Sequence, residues 1–306
     1  MYTNIWLIGT VLKKLNVPFI VIGRSEFRCL EFEAKVGVRP ISGGIQNFLI
    51  TAPVMPSKVI ITTKVEELQV ISKLLMDYGV KNILAEKPGV AYVNEINELV
   101  DLAKKTQTNL LIAYNRRFYA SVLKAEKIIE EDGGVSSFNF EFTEWSHIIS
   151  TLKETDAGLH NWFLGNSTHV IDLAFYLGGF PKQFSAYYKG SLNWHPTASA
   201  YAGAGISETG ALFSYHANWE APGRWVLEVL TTKHRLIFKP MEKLQIQAVG
   251  SVAINPVEIN DSLDISFKPG IYLQTKAFIE NDYTRFCNIY DQQQLINDVY
   301  TKMSGY

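Results

Sequence analysis

The chain has 306 residues, 47% of them hydrophobic and 19% charged, a balance typical of a globular protein and far from that of a disordered one. Its 29 basic and 30 acidic side chains leave a formal net charge of −1, without the basic surplus that suits a nucleic-acid partner. No apolar run reaches the roughly 18 residues of a membrane span, and residues 1–7 lack the basic segment and small-residue cleavage site of a signal peptide. Two cysteines, Cys29 and Cys287, make neither a disulfide framework nor a metal cage by themselves. The expectation is a soluble, cytoplasmic protein of one large or two ordinary domains.

Short apolar runs at residues 5–8, 18–22, 58–61, 82–85 and 109–113 read as strands. Between them, residues 26–36, 65–78 and 93–105 carry apolar side chains at the three-and-four spacing of amphipathic helices. Strand–helix repetition of this kind predicts a parallel sheet wound with helices on both faces, over residues 1–115. Beyond residue 135 the pattern changes. Residues 136–145 alternate, 168–177 read as a helix, and 184–189, 210–219, 225–231 and 235–238 read as strands separated by turn residues. A long loop over 248–268 and closing helices over 271–290 and 292–303 complete the chain. The fold class expected is therefore α/β: an N-terminal Rossmann-type parallel-sheet domain, then a C-terminal α+β domain over 116–306 with a large, mostly antiparallel open sheet.

Ligands of an open parallel sheet sit at the carboxyl ends of its strands. The first of these ends would carry Gly9 and Thr10, but the second and third glycines of a dinucleotide fingerprint do not follow. Only nine residues, 9–17, separate the first two runs, whereas a crossover needs about 10–12 or more. The first crossover thus reads as shortened, and Gly9 as either a phosphate-turn glycine or an ordinary turn glycine. The second strand end offers Arg24 and Ser25 in place of the acidic residue that accepts from an NAD ribose. That pair suits a 2′-phosphate and favours NADP over NAD. The bland alternative is a solvated Arg24 and a helix N-cap at Ser25.

Four further segments follow in order: Thr62-Thr63-Lys64-Val65-Glu66, the strand end Leu84-Ala85-Glu86-Lys87-Pro88, Ala113-Tyr114-Asn115-Arg116-Arg117-Phe118, and Gly165-Asn166-Ser167-Thr168-His169-Val170-Ile171-Asp172. Together they resemble the glucose–fructose oxidoreductase / inositol dehydrogenase / MocA family of NAD(P)-dependent sugar oxidoreductases, over nearly the whole chain. The resemblance implies a cofactor contact from Glu86, with Thr62 and Thr63 nearby, and a Lys87 that projects toward substrate ahead of a peptide bond often cis in relatives. An ammonium there would polarise a substrate oxygen; the bland alternative is a surface lysine.

His169 is the residue best suited to proton transfer. A cap at Asn166 or Ser167 would place it in the first turn of a helix, whose dipole favours neutral imidazole. Asp172, three residues on, would support it or be an ordinary polar neighbour. A packed core histidine is the alternative for His169. Relatives carry an aspartate four residues before this histidine, where this chain has Gly165. Arg117 matches the family's arginine at the substrate and would hold a carboxylate, phosphate or hydroxyl, with Arg116 a helix-start residue. Tyr114, Trp162 and Asn166 join it as substrate-binding residues, while Trp145, His147, Trp219 and Arg224 lie in segments expected to face the substrate. His160, His195, His216 and His234 show no metal-ligand spacing, so no metal site is expected.

The leading reading is hydride transfer between nicotinamide, NADP or NAD, and a hydroxyl-bearing carbon of a sugar, cyclic polyol or nucleotide sugar. Here His169 moves the proton and Lys87 polarises the oxygen. The alternative is a non-catalytic sugar- or cofactor-sensing protein of the same fold. By resemblance, homo-oligomers through the second-domain sheet are expected. Ala211, Phe213, Tyr215 and Ala217 suit such a face, or equally packing on the domain's own helices.

Overall fold

A computed structural model describes residues 5–306, apart from the side chains of Asp156 and Ala157. The reading of residues 1–7 as no signal peptide therefore falls partly outside the described residues. Two compact units emerge: the described residues up to Val90 with Asn94–Ala113 and Leu263–Gln293, and Ala91–Val93 with Tyr114–Ser262 and Gln294–Tyr306.

The first unit begins with helix α1 (Ile5–Lys14), where the apolar run at 5–8 suggests a strand. Leu7 and Val11, one helical turn apart, are buried with Ile271 in one apolar cluster. Gly9 lies inside this helix against Phe32; a Cβ there would come 2.7 Å from the ring. It is a close-packing glycine and forms no turn, and the Thr10 hydroxyl bonds back to the Trp6 carbonyl at 2.8 Å. The shortened crossover disappears with this correction, because residues 5–14 are themselves the helix.

Residues 18–22 make only an isolated parallel bridge, Ile22 to Ile41. Helix α2 (Glu26–Val36) starts at Ser25 and stops at Gly37, whose φ of 73° suits glycine. After α3 (Gly44–Ile50) come β1 (Val59–Ile61), α4 (Val65–Asp77), β2 (Asn82–Glu86), α5 (Ile96–Thr106) and β3 (Asn109–Ala113). The three strands are parallel, Val59 opposite Ile83 and Ile83 opposite Leu110. Residues 83–85 of β2 and 110–113 of β3 are buried as continuous apolar runs, as sheet strands covered on both faces require, while in β1 only Ile61 is buried.

The second unit carries α6 (Ala120–Glu131), β4 (Ser137–Glu141), α7 (Ser146–Ile149), α8 (Asp156–His160), α9 (Thr168–Gly178), β5 (Pro181–Lys189), β6 (Ala200–Ser207), β7 (Leu212–Asn218), β8 (Val226–Leu230), β9 (His234–Phe238), β10 (Gln245–Ala248) and β11 (Asn255–Pro256). Its eight-stranded sheet has the order β11-β10-β9-β8-β4-β7-β6-β5, antiparallel except where β4 runs parallel to β7. Ala211, Phe213, Tyr215 and Ala217 are buried within the unit, and Phe213 meets Phe175 of α9 edge to face at 5.2 Å. They pack on the unit's own helix, and the alternate residues Leu212 and His216 face outward.

The chain then returns through α10 (Ser262–Phe267), α11 (Ile271–Glu280), β12 (Cys287–Asn288), α12 (Ile289–Gln294) and α13 (Thr301–Ser304). β12 pairs antiparallel with β3, so part of the segment beyond residue 116 completes the first unit's sheet. The closing helix expected over 271–290 is thus interrupted after Glu280 by Asn281, in left-handed conformation at φ 63°. No helix among the described residues is long and apolar enough to cross a membrane.

Candidate active site

The carboxyl ends of β1, β2 and β3 gather the residues expected to face a cofactor. Thr62 and Thr63 follow β1; the Thr63 hydroxyl is buried and has no hydrogen-bond partner among the described residues. On the adjacent strand, Glu86 ends β2, and the Lys87 amide donates to its carboxylate at 3.2 Å. The Lys87–Pro88 peptide is cis. A residue not singled out in the sequence fixes this turn: buried Gln292 donates from Nε2 to the Pro88 carbonyl at 2.9 Å. An orphaned buried hydroxyl at a parallel-sheet carboxyl end fits a bound dinucleotide, which would supply its missing partner.

Arg24, just beyond the isolated bridge at Ile22, is largely exposed and ion-paired with Glu67. The Ser25 hydroxyl accepts from the Arg28 amide at 3.4 Å, the N-cap role. Gly9 and Thr10, in α1, stand at no strand end.

In the second unit, Tyr114, Arg116, His169 and Trp225 form one wall. The His169 ring lies 6.4 Å from Tyr114, edge-on, and 6.2 Å from Trp225. The expected helix cap is absent: a π-helical turn, Phe163–Ser167, runs directly into α9, and Ser167 is itself helical at φ −66°. His169 therefore does not sit at a free helix N-terminus, and the dipole argument for its neutral form loses its basis.

Asn166 and Ser167 have a different use. Their side chains both donate to Glu144 Oε1 at 2.9 Å, and Arg224 reaches Glu144 Oε2 at 3.4 Å. Burial pushes the Glu144 carboxyl above the usual carboxylate range, against these hydrogen bonds and the Arg224 charge. Sequence reasoning missed Glu144, although its signal was present. Phe138, Phe140 and Phe142 face inward at a period of two, and residue 144 continues that register with a carboxylate.

Arg117 is also placed differently from the expectation. It is buried and donates from Nε to Asp172 Oδ2 at 2.9 Å and from Nη2 to Oδ1 at 2.6 Å. Its guanidinium lies over the Tyr176 ring at 4.6 Å. It ties the turn Asn115–Phe118 to α9 and engages both oxygens of the Asp172 carboxylate. Trp162 is likewise buried, edge-on to Trp194 at 6.1 Å, as a core aromatic. The guanidiniums that line the His169 wall are Arg116 and Arg224, 4.6 and 4.5 Å from the Trp225 centroid. At Gly165, a Cβ would meet open space. No group of three or more metal-ligating side chains occurs among the described residues.

No family model matches the chain. An uncharacterised oxidoreductase of Schizosaccharomyces pombe is 28% identical over 185 residues, which are 56% of this chain and 50% of that protein; the match thus spans half the length of that relative. Among solved structures, levoglucosan dehydrogenase in complex with NADH and levoglucosan superposes with a TM-score of 0.78 at 18% identity, covering 100% of this chain and 95% of that one. UDP-N-acetylglucosamine 3-dehydrogenase from Acidithiobacillus ferrooxidans gives 0.72 at 14% identity, covering 98% and 94%. The two-unit fold expected from the family resemblance is the fold of these dehydrogenases.

Proposed function

We propose that the chain is an NAD(P)-dependent oxidoreductase acting on a hydroxyl-bearing carbon of a sugar, cyclic polyol or nucleotide sugar. The observation that carries this reading is the orphaned Thr63 hydroxyl beside Glu86 and Lys87, on adjacent strand ends of a dehydrogenase fold. Thr62, Thr63, Glu86 and Lys87 would hold the nicotinamide half, with Arg24 favouring NADP at the adenosine end. When bound, the nicotinamide accepts or returns hydride. His169 takes or returns the hydroxyl proton, and the Lys87 ammonium stabilises developing alkoxide charge. The relatives named above act on sugars or a nucleotide-linked sugar by their own descriptions, which supports that substrate class.

Titration with NADPH and then NADH, followed by cofactor fluorescence, tests the reading. Micromolar binding of either is expected, tighter for NADPH if Arg24 acts as described. No binding of either up to millimolar concentration sinks it and leaves a non-catalytic member of the fold. His169→Asn should then lower turnover by about 10²–10⁴-fold without changing cofactor affinity. The same reading includes self-association through the outward face of the eight-stranded sheet. Sedimentation velocity over a concentration series checks it; a monomer throughout removes that part.

A further inference from the structure

Two guanidiniums share one indole on the His169 wall. Arg116 lies 4.6 Å and Arg224 4.5 Å from the Trp225 centroid, and Arg224 also lies 4.8 Å from that of Trp145. Stacking of this kind covers the guanidinium faces and leaves the N–H edges to find acceptors. For Arg224 the acceptor is Glu144, at a long 3.4 Å, while nearly half of its side chain stays exposed. For Arg116 none is present: its Nε is shielded from solvent without a hydrogen-bond partner, and no carboxylate among the described residues pairs with it. Of the two guanidiniums, only that of Arg224 is paired with the buried Glu144 carboxyl. A buried N–H without an acceptor is costly, and an incoming anion would satisfy it.

We propose that Arg116 and Arg224 form an anion clamp, and that the substrate is a sugar carrying a carboxylate, phosphate or diphosphate group. The word substrate here rests on the oxidoreductase reading above; the anion site itself does not. The anionic oxygens take the free edges of both guanidiniums, Trp225 sets their spacing, and the clamp presents the sugar to the wall that carries His169. Arg117, buried on Asp172, has no part in it.

The experiment begins with inorganic phosphate, followed by tryptophan fluorescence. Calorimetry then compares D-glucuronate, D-glucose 6-phosphate and UDP-N-acetylglucosamine with neutral D-glucose, for the wild type, Arg224→Met, Arg116→Met and Arg116→Lys. The expected result is that phosphate binds and that at least one anionic sugar binds about tenfold or more tighter than glucose. Which of the three it is separates sugar acid, sugar phosphate and nucleotide sugar. Arg224→Met and Arg116→Met should each abolish most of that preference, with Arg116→Lys retaining part of it. Equal binding of neutral and anionic sugars overturns the proposal, as does an undiminished preference in Arg224→Met or in Arg116→Lys together with Arg224→Lys, whose melting curves establish that each variant is folded. Loss of NAD(P)H binding with the anion preference intact would instead count against the oxidoreductase reading alone.

Discussion

Arg117 donates two hydrogen bonds to Asp172, one to each carboxylate oxygen, at 2.9 and 2.6 Å, with the carboxylate 1% exposed. The pair joins the short turn that carries Arg116 to the helix that carries His169. It thereby sets the geometry of the site without lining it. Bidentate pairing adds direction as well as energy, and Tyr176 beneath the guanidinium limits its movement.

Removing either partner alone leaves a buried charge uncompensated. Asp172→Ala and Arg117→Ala are each expected to cost about 3–5 kcal/mol in denaturant unfolding, and the joint replacement Arg117→Met with Asp172→Leu considerably less. A loss below about 1 kcal/mol for Asp172→Ala would show that the pair does not hold the turn against the helix.

Thr63 tests the cofactor end separately. Its hydroxyl is buried without a partner among the described residues, so Thr63→Val removes a polar group that contributes no hydrogen bond in the free chain. The free protein should be as stable as the wild type or slightly more so, while NAD(P)H affinity should fall by about 1 kcal/mol, several-fold in Kd. Thermal melts with and without cofactor make the measurement; unchanged affinity would detach Thr63 from the cofactor.

Much of this architecture was legible in the sequence, and its failures have physical causes. The helix Glu26–Val36 and the strand Asn109–Ala113 have the bounds that spacing alone indicates. The run 5–8 is apolar throughout, so its period is undefined, and only the burial of Leu7 and Val11 reveals the helix. Strand β6 escaped notice because its alanines and glycines carry little hydrophobic signal; the Tyr215 ring takes the space in which a Cβ at Gly203 would stand. Lys87 and His169 were found through the resemblance. The choice between Arg116 and Arg117 was not available to spacing, since a tight turn sends neighbouring side chains in different directions and only Asp172 decides which is buried.

Gly165 is where the resemblance predicts a carboxylate. A Cβ there meets nothing within 4 Å, and its φ is not in the left-handed region. Gly165→Asp should therefore fold, with stability within about 0.5 kcal/mol of the wild type. If His169 works with a carboxylate at this position in relatives, the variant should raise turnover on a substrate the wild type accepts. An unchanged kcat would indicate that this chain's proton transfer does not use that position.

His195 gives a pH dependence of stability that is separate from the site. It is fully buried, with Nδ1 2.8 Å from the Ala198 carbonyl and Nε2 3.0 Å from the Tyr306 hydroxyl. Burial pushes its pKa below the ordinary histidine value, despite the raising effect of the Ala198 carbonyl. Between that depressed value and the ordinary one, about 6.5, the unfolded chain binds more protons than the folded one, so stability rises with pH across this window. The contribution is complete above the ordinary value and is lost on acidification through the window. Thermal midpoints from about pH 7 to about pH 5 should therefore fall more steeply for the wild type than for His195→Gln, which lacks the titrating ring. His195→Gln will start from a lower midpoint, having lost the ring's hydrogen bonds, but the slopes carry the test. Carboxylates that titrate in both proteins cancel in the comparison, so parallel slopes would show that His195 takes up its proton equally well in the folded chain.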